Sequence, residues 1–168
     1  NDGRYCDIEP SKWIQAFKNI CFDIGDDKLK DIDLLSISGT TPGITFLDNK
    51  FHVLYPAILM LDQRSRKEAA DIVNLVGAKK LLEETGNLPV PGGCSLASIL
   101  WIKNNHPDIF KRTKYFAHSN TFMGGWLTGN YGIDPSSASL TALYNTVNNN
   151  FSWNKDIASA FSINTDTL

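Results

Sequence analysis

Cysteine is sparse: Cys6, Cys21 and Cys94 are the only three in 168 residues, and no C-x-x-C pair occurs. An odd, widely spaced set does not suit a secreted disulfide framework, so reduced thiols and a cytoplasmic location are expected. His52, His106 and His118 lie far apart without an H-x-x-x-H spacing, which removes the usual helical metal motif. There is no G-x-S-x-G elbow, and Cys94 has no visible activator beside it, so it reads as a buried, inert thiol. An excess of one charge is missing too. Sixteen Lys and Arg face eighteen Asp and Glu, for a net charge of −2, which leaves no basic footprint for nucleic acid. No apolar run nears the roughly 18 residues of a membrane span, while 42% hydrophobic residues is too many for a disordered chain. The opening Asn1-Asp2-Gly3-Arg4-Tyr5 carries no basic-then-apolar signal pattern and no initiator methionine, so a longer parent chain is expected.

What is present reads as one α/β domain. Trp13, Ile14, Phe17, Ile20 and Cys21 make a single helical stripe over residues 10–22, opened by Pro10-Ser11 and closed by Gly25. Weak alternation predicts a strand over residues 32–38, running into the turn Gly39-Thr40-Thr41-Pro42-Gly43. Residues 44–47 and 53–61 read as a hairpin about Asp48-Asn49. Ala69, Ile72, Val73 and Val76 share a helical face, Gly77 interrupts it, and a shorter helix follows over residues 78–84. After a Pro/Gly-rich loop come helices at 96–104 and from Pro107, a buried strand at 115–117 and a helix at 121–127. The chain then turns at Gly129-Asn130, runs irregularly over 138–145 and closes in a helix at 153–161. Strands early and helices later imply a sheet covered on at least one side by helices. The four tryptophans fall within apolar helical patterns and read as packing groups.

Four segments invite a chemical reading. Asp23-Ile24-Gly25-Asp26-Asp27-Lys28 superficially resembles a phosphate hairpin. It follows a helix, however, and two carboxylates repel a polyphosphate, so it reads as a helix-ending loop. The Gly39–Gly43 turn exposes two hydroxyls at a strand end, where α/β proteins place ligand contacts; it is equally ordinary turn composition. Asp62-Gln63-Arg64 follows an apolar strand and combines an acceptor with a forked donor, a pairing that can hold a polyol. The same residues also suit a helix N-terminus. Asp134-Pro135-Ser136-Ser137-Ala138-Ser139 is a polar cluster that reads as a local Asx-type turn.

The order of these pieces resembles the N-terminal domain of the FGGY family of carbohydrate kinases, in its xylulose-kinase-like members. Ile37-Ser38-Gly39-Thr40-Thr41-Pro42-Gly43-Ile44-Thr45-Phe46-Leu47-Asp48 is followed by Pro56-Ala57-Ile58-Leu59-Met60-Leu61-Asp62-Gln63-Arg64. Ser98-Ile99-Leu100-Trp101-Ile102, Pro107-Asp108-Ile109-Phe110, Trp126-Leu127-Thr128-Gly129 and Asp134-x-Ser136-x-Ala138-Ser139 come next. The opening Glu9-Pro10-x-x-Trp13 is similar as well, so the likeness covers nearly the whole chain.

The resemblance implies an actin-like, ribonuclease-H-related fold with a mixed sheet and flanking helices, present here as an incomplete domain. It implies sugar contacts at Thr40, Thr41, Pro42, Met60, Asp62 and Arg64, and a ketose such as xylulose as substrate. Asp62 and Arg64 match the family's Asp-x-Arg. Thr40 and Pro42 stand where a Gln and a His are usual, Met60 where a Trp, Ser98 where a Lys, and Thr121 where an Asp. ATP and Mg2+ are expected for the intact enzyme and neither for this piece. By the same likeness, the phosphate hairpin precedes residue 1 and the catalytic Asp and ATPase domain follow residue 168, so the remainder of the kinase chain is the expected partner. An unpaired sheet edge is expected to self-associate. The replaced positions leave a second reading, a non-catalytic sugar-binding or regulatory relative.

Overall fold

The computed structural model describes residues 4–147 and 150–168; the opening residues 1–3, read above for targeting signals, lie outside that description. The chain runs β1 (Asp7–Ile8), α1 (Ser11–Ile24), α2 (Asp26–Leu29), β2 (Ile44–Leu47), β3 (Val53–Ile58), α3 (Arg66–Val76) and α4 (Ala78–Thr85). It continues through α5 (Ser95–Asn105), α6 (Pro107–Arg112), β4 (Tyr115–His118), α7 (Ser119–Thr128), α8 (Pro135–Ser139), β5 (Tyr144–Asn145), β6 (Ser152–Trp153) and α9 (Lys155–Ala160).

The hairpin expected at residues 44–61 is the centre of a four-stranded sheet ordered β1-β3-β2-β4. Every ladder among the described residues is antiparallel, where a mixed sheet was expected. Pro56 explains an irregularity in β3. It has no amide to donate, and the register slips at its level, from Phe46 opposite Tyr55 to Ile44 opposite Ile58. The short pairing of Asp7 with Ile58 and Ile8 with Ala57 adds β1, a strand too brief to leave an alternating signal.

The core lies between this sheet and α5. Eight consecutive residues of α5, Ser95 to Ile102, are buried, as befits a helix apolar nearly all round. Phe46 is fully enclosed, edge-on to Tyr55 at 6.2 Å and to Phe116 at 5.8 Å. A smaller cluster of Leu47, Ala117, Phe122 and Met123 packs on the other face with Trp13, Ile14 and Phe17 of α1.

Three expectations change. Residues 32–38 form no strand, because an extended segment becomes one only by pairing and no described strand lies beside it. Trp153 belongs to the small β5–β6 hairpin, edge-on to Tyr144, and the last helix begins after it, capped by Asn154 on the Ile157 amide. Within the segment read as irregular, Ala138 and Ser139 complete α8, whose Asp134 side chain accepts from the Ser137 amide, so the Asx reading was a helix cap.

Replacing Phe46 with Ala should lower unfolding free energy by about 3–5 kcal/mol. Leu75→Ser on the exposed side of α3 should change it by no more than about 0.5 kcal/mol. Urea unfolding with matched slopes would check both.

Candidate functional site

The antiparallel register brings several chain turns to one end of the sheet. Ile44 sits opposite both Ile58 and His118, and Asp7 opposite Ile58, so the starts of β1 and β2 and the ends of β3 and β4 lie together. The Gly39–Gly43 turn leads into this end. A side chain on Gly39 would run into the Ser119 hydroxyl and come within 2.9 Å of the Asn120 amide, so only glycine lets the turn lie on the start of α7. Ser119 Oγ donates to the Thr40 carbonyl at 3.1 Å. Thr40, exposed, lines a groove of about 400 Å³ with Ser38, Leu59, Ser119 and Met123, whose far wall is Trp13, Ala16, Phe17 and Ile20 of α1. Thr41 is half-buried, Pro42 is buried, and Met60 is 45% exposed in the turn after β3.

Asp62 and Arg64 are placed differently. Asp62 has no exposed surface, and its carboxylate accepts from the Cys6 amide at 2.6 Å, the Arg64 amide at 2.9 Å and the guanidinium. Arg64 Nη2 also donates to Asp7 at 2.5 Å and Nη1 to the Tyr55 hydroxyl at 3.2 Å. The guanidinium lies between the Tyr5 and Trp101 rings, 4.3 and 5.0 Å from their centres. Burial opposes its charge, but the hydrogen bonds to Asp62 and Asp7 outweigh that and hold its pKa above the ordinary value. With their acceptors and donors engaged internally, the two residues form a clamp that ties β1 to the end of β3.

A second polar feature went unread in the sequence. His118, 1% exposed, holds its Nε2 2.7 Å from Ser95 Oγ, while its Nδ1 has no partner. Burial lowers its pKa to about 4, against a small upward pull from Asp134. Asn120 Oδ1 and Thr121 Oγ1 are also buried and unpartnered. Gly92, at φ +67°, was equally missed. A side chain there would strike the carbonyls of Met60 and Asp62, so its loop closes directly on the turn after β3. The only signal for it was a Pro/Gly-rich composition, which does not say where a loop folds back. Cys94 is buried, its thiol pushed up to about 11 by burial, in keeping with an inert group.

Residues 2–168 match the FGGY family of carbohydrate kinases, N-terminal domain. The chain belongs to the FGGY family. It is 30% identical over 162 residues to xylulose kinase of Lactococcus lactis subsp. lactis, an alignment covering 95% of this chain and 32% of that protein. The crystal structure of a xyloylose kinase from Brucella ovis superposes on 98% of this chain and 34% of its own, with TM-score 0.86 and 26% identity. Plasmodium falciparum glycerol kinase with ADP matches at TM-score 0.85 over 96% of this chain and 33% of its own, at 23% identity. The fold is therefore the actin-like one of FGGY kinases, and the chain spans about a third of the length of the curated relatives it matches.

Among the described residues, no three His, Cys, Asp or Glu side chains gather as a metal site. The Gly25 loop places Asp26 and Asp27 in the first turn of α2, where they repel phosphates. No described helix is long and apolar enough to cross a membrane.

Two measurements test this geometry. Arg64→Met should destabilise the chain by about 3–5 kcal/mol because it leaves Asp62 buried and unpaired, and Arg64→Lys should recover only part, since an ammonium cannot fork between two carboxylates. His118 is neutral in the fold, with a folded pKa of about 4 against 6.5 for the free side chain. Its contribution is whole above pH 6.5 and falls away as pH drops through 4, amounting to at most about 3 kcal/mol. His118→Gln should flatten the stability profile across that window.

Proposed function

We propose that this chain is the sugar-contacting part of a cytoplasmic, ATP- and Mg2+-dependent kinase that phosphorylates a ketose such as xylulose. The reading is carried by one observation: in an FGGY-family chain, the Thr40 turn borders a groove at the end of the sheet, beside the hydroxyl of Ser119. Thr40, Thr41, Pro42 and Met60 are the residues offered to the sugar, with the Asp62–Arg64 clamp behind them. Threonine and serine hydroxyls both donate and accept, so they match sugar hydroxyls at short reach. The names of the similar proteins support a sugar or polyol as phosphoryl acceptor. Nucleotide, metal and the base that takes the hydroxyl proton are assigned to the remainder of the polypeptide, and catalysis by residues 1–168 alone is not expected.

The test is an ADP-release assay of the full polypeptide on a panel of ketoses. Turnover with at least one ketose is expected, and Thr40→Val should raise KM about tenfold with kcat much less affected, the worth of one neutral hydrogen bond. No turnover on any sugar would overturn the reading. Thr40, Pro42, Met60 and Ser98, standing where the resemblance expects Gln, His, Trp and Lys, favour a second reading as a non-catalytic sugar-binding relative. Calorimetric binding of nucleotide to the full polypeptide would count against that alternative.

A further inference from the structure

The start of α7 lies against the Thr40 turn and carries attachments of its own. Gly39 sits directly on Ser119 and the Asn120 amide, and the Ser119 hydroxyl donates to the Thr40 carbonyl at 3.1 Å. Among the described residues, no other side chain hydrogen-bonds to the backbone of 39–43. The far arm of the turn is fixed by packing instead, since Pro42 and Gly43 are buried and lead into β2. Asn120 continues the attachment: its Nδ2 donates to Asp134 Oδ2 at 3.2 Å and to Ser137 Oγ at 3.1 Å. Asp134 and Ser137 are locked together, because the Ser137 amide and hydroxyl both donate to that carboxylate, at 2.9 and 2.6 Å. Helix α8, which the pair caps, is fastened in turn to the buried α5. The Leu140 and Thr141 carbonyls at its end accept from the Ser95 and Leu96 amides, at 3.2 and 3.1 Å.

We propose that Ser119 and Asn120 are positioning residues for the sugar turn, holding it on a line of hydrogen bonds that ends at the Asp134–Ser137 pair and α5. A hydroxyl selects a sugar only where it is held to within about 0.5 Å, and the groups behind it set that precision. Ser119 suits the task because it bonds the main chain of the residue whose side chain is offered to the sugar. A shift of one therefore moves the other. Asn120 suits it because its two bonds go to a carboxylate and a hydroxyl that already hold each other. The Asp134–Ser139 cluster thus serves the sugar turn as well as capping a helix. The inference rests on the ketose reading of the Thr40 turn and adds what keeps that turn in place.

Calorimetric titration of the full polypeptide with xylulose, ribulose and fructose tests this without requiring turnover. Ser119→Ala should raise the Kd of the tightest-binding ketose about fivefold, and Asn120→Ala at least about twofold, indirect losses smaller than that of the Thr40 hydroxyl itself. In a Thr40→Val background either change should add less than about twofold, because no hydroxyl remains to be positioned. Effects that multiply in full in the double variants would overturn the proposal. So would an unchanged Kd in both single variants, with or without a lowered melting temperature, which would mark the bonds as merely structural. An unsubstituted polypeptide that binds no ketose would bring down the ketose reading and this inference with it. Ketose binding that does not respond to Ser119→Ala would bring down this inference alone.

Discussion

The Arg64 guanidinium is held by two carboxylates, a phenol and two aromatic faces, and withdrawing it from water is tolerable only because all of them are present. That enclosure fixes more than itself. Asp62 also binds the Cys6 amide, and the Leu59 amide donates to the Cys6 carbonyl, so β1 is joined to the end of β3 through both side chain and backbone. The turn carrying Met60 is thereby held between this clamp and the Gly92 loop, next to the turn that carries Thr40. The candidate site is a consequence of how these turns are held at the sheet's end.

Much of this was legible in residue order. The stripe of Trp13, Ile14 and Phe17 gave α1, the alternation around Asp48-Asn49 gave the β2–β3 hairpin, and the run Ser98-Ile99-Leu100-Trp101 gave the buried α5. The motif order carried the family. What the sequence concealed was non-local. The role of Arg64 depends on Asp7 and Tyr5, far away along the chain, and a local pattern of Asp-x-Arg reads equally as ligand site, helix start or internal ion pair. His118 and Ser95 meet across 23 positions with no spacing rule to announce them. Residues 32–38 were misread for the opposite reason: their local pattern suits a strand, but a strand needs a neighbour, and the described residues supply none.

The groove beside the Thr40 turn is lined mainly by apolar side chains, with Ser38, Thr40 and Ser119 supplying its hydroxyls. Ser95, Ser98, Ser119 and Thr121 are all buried, and His118, with Ser95 Oγ against its Nε2, is kept neutral by burial. By the resemblance, Ser98 and Thr121 stand where a lysine and an aspartate are usual. Neutral hydroxyls cost less to bury than unpaired ions, and both residues are buried. Among the described residues, His118 Nδ1, Asn120 Oδ1 and Thr121 Oγ1 are buried without a hydrogen-bond partner.

A crystal structure of the full polypeptide with xylulose bound tests the central claim most directly. The account predicts the sugar at the Thr40 turn, with the Arg64 guanidinium still between Asp62 and Asp7 and out of contact with any sugar hydroxyl. A guanidinium swung out of that enclosure to hydrogen-bond the sugar would contradict it.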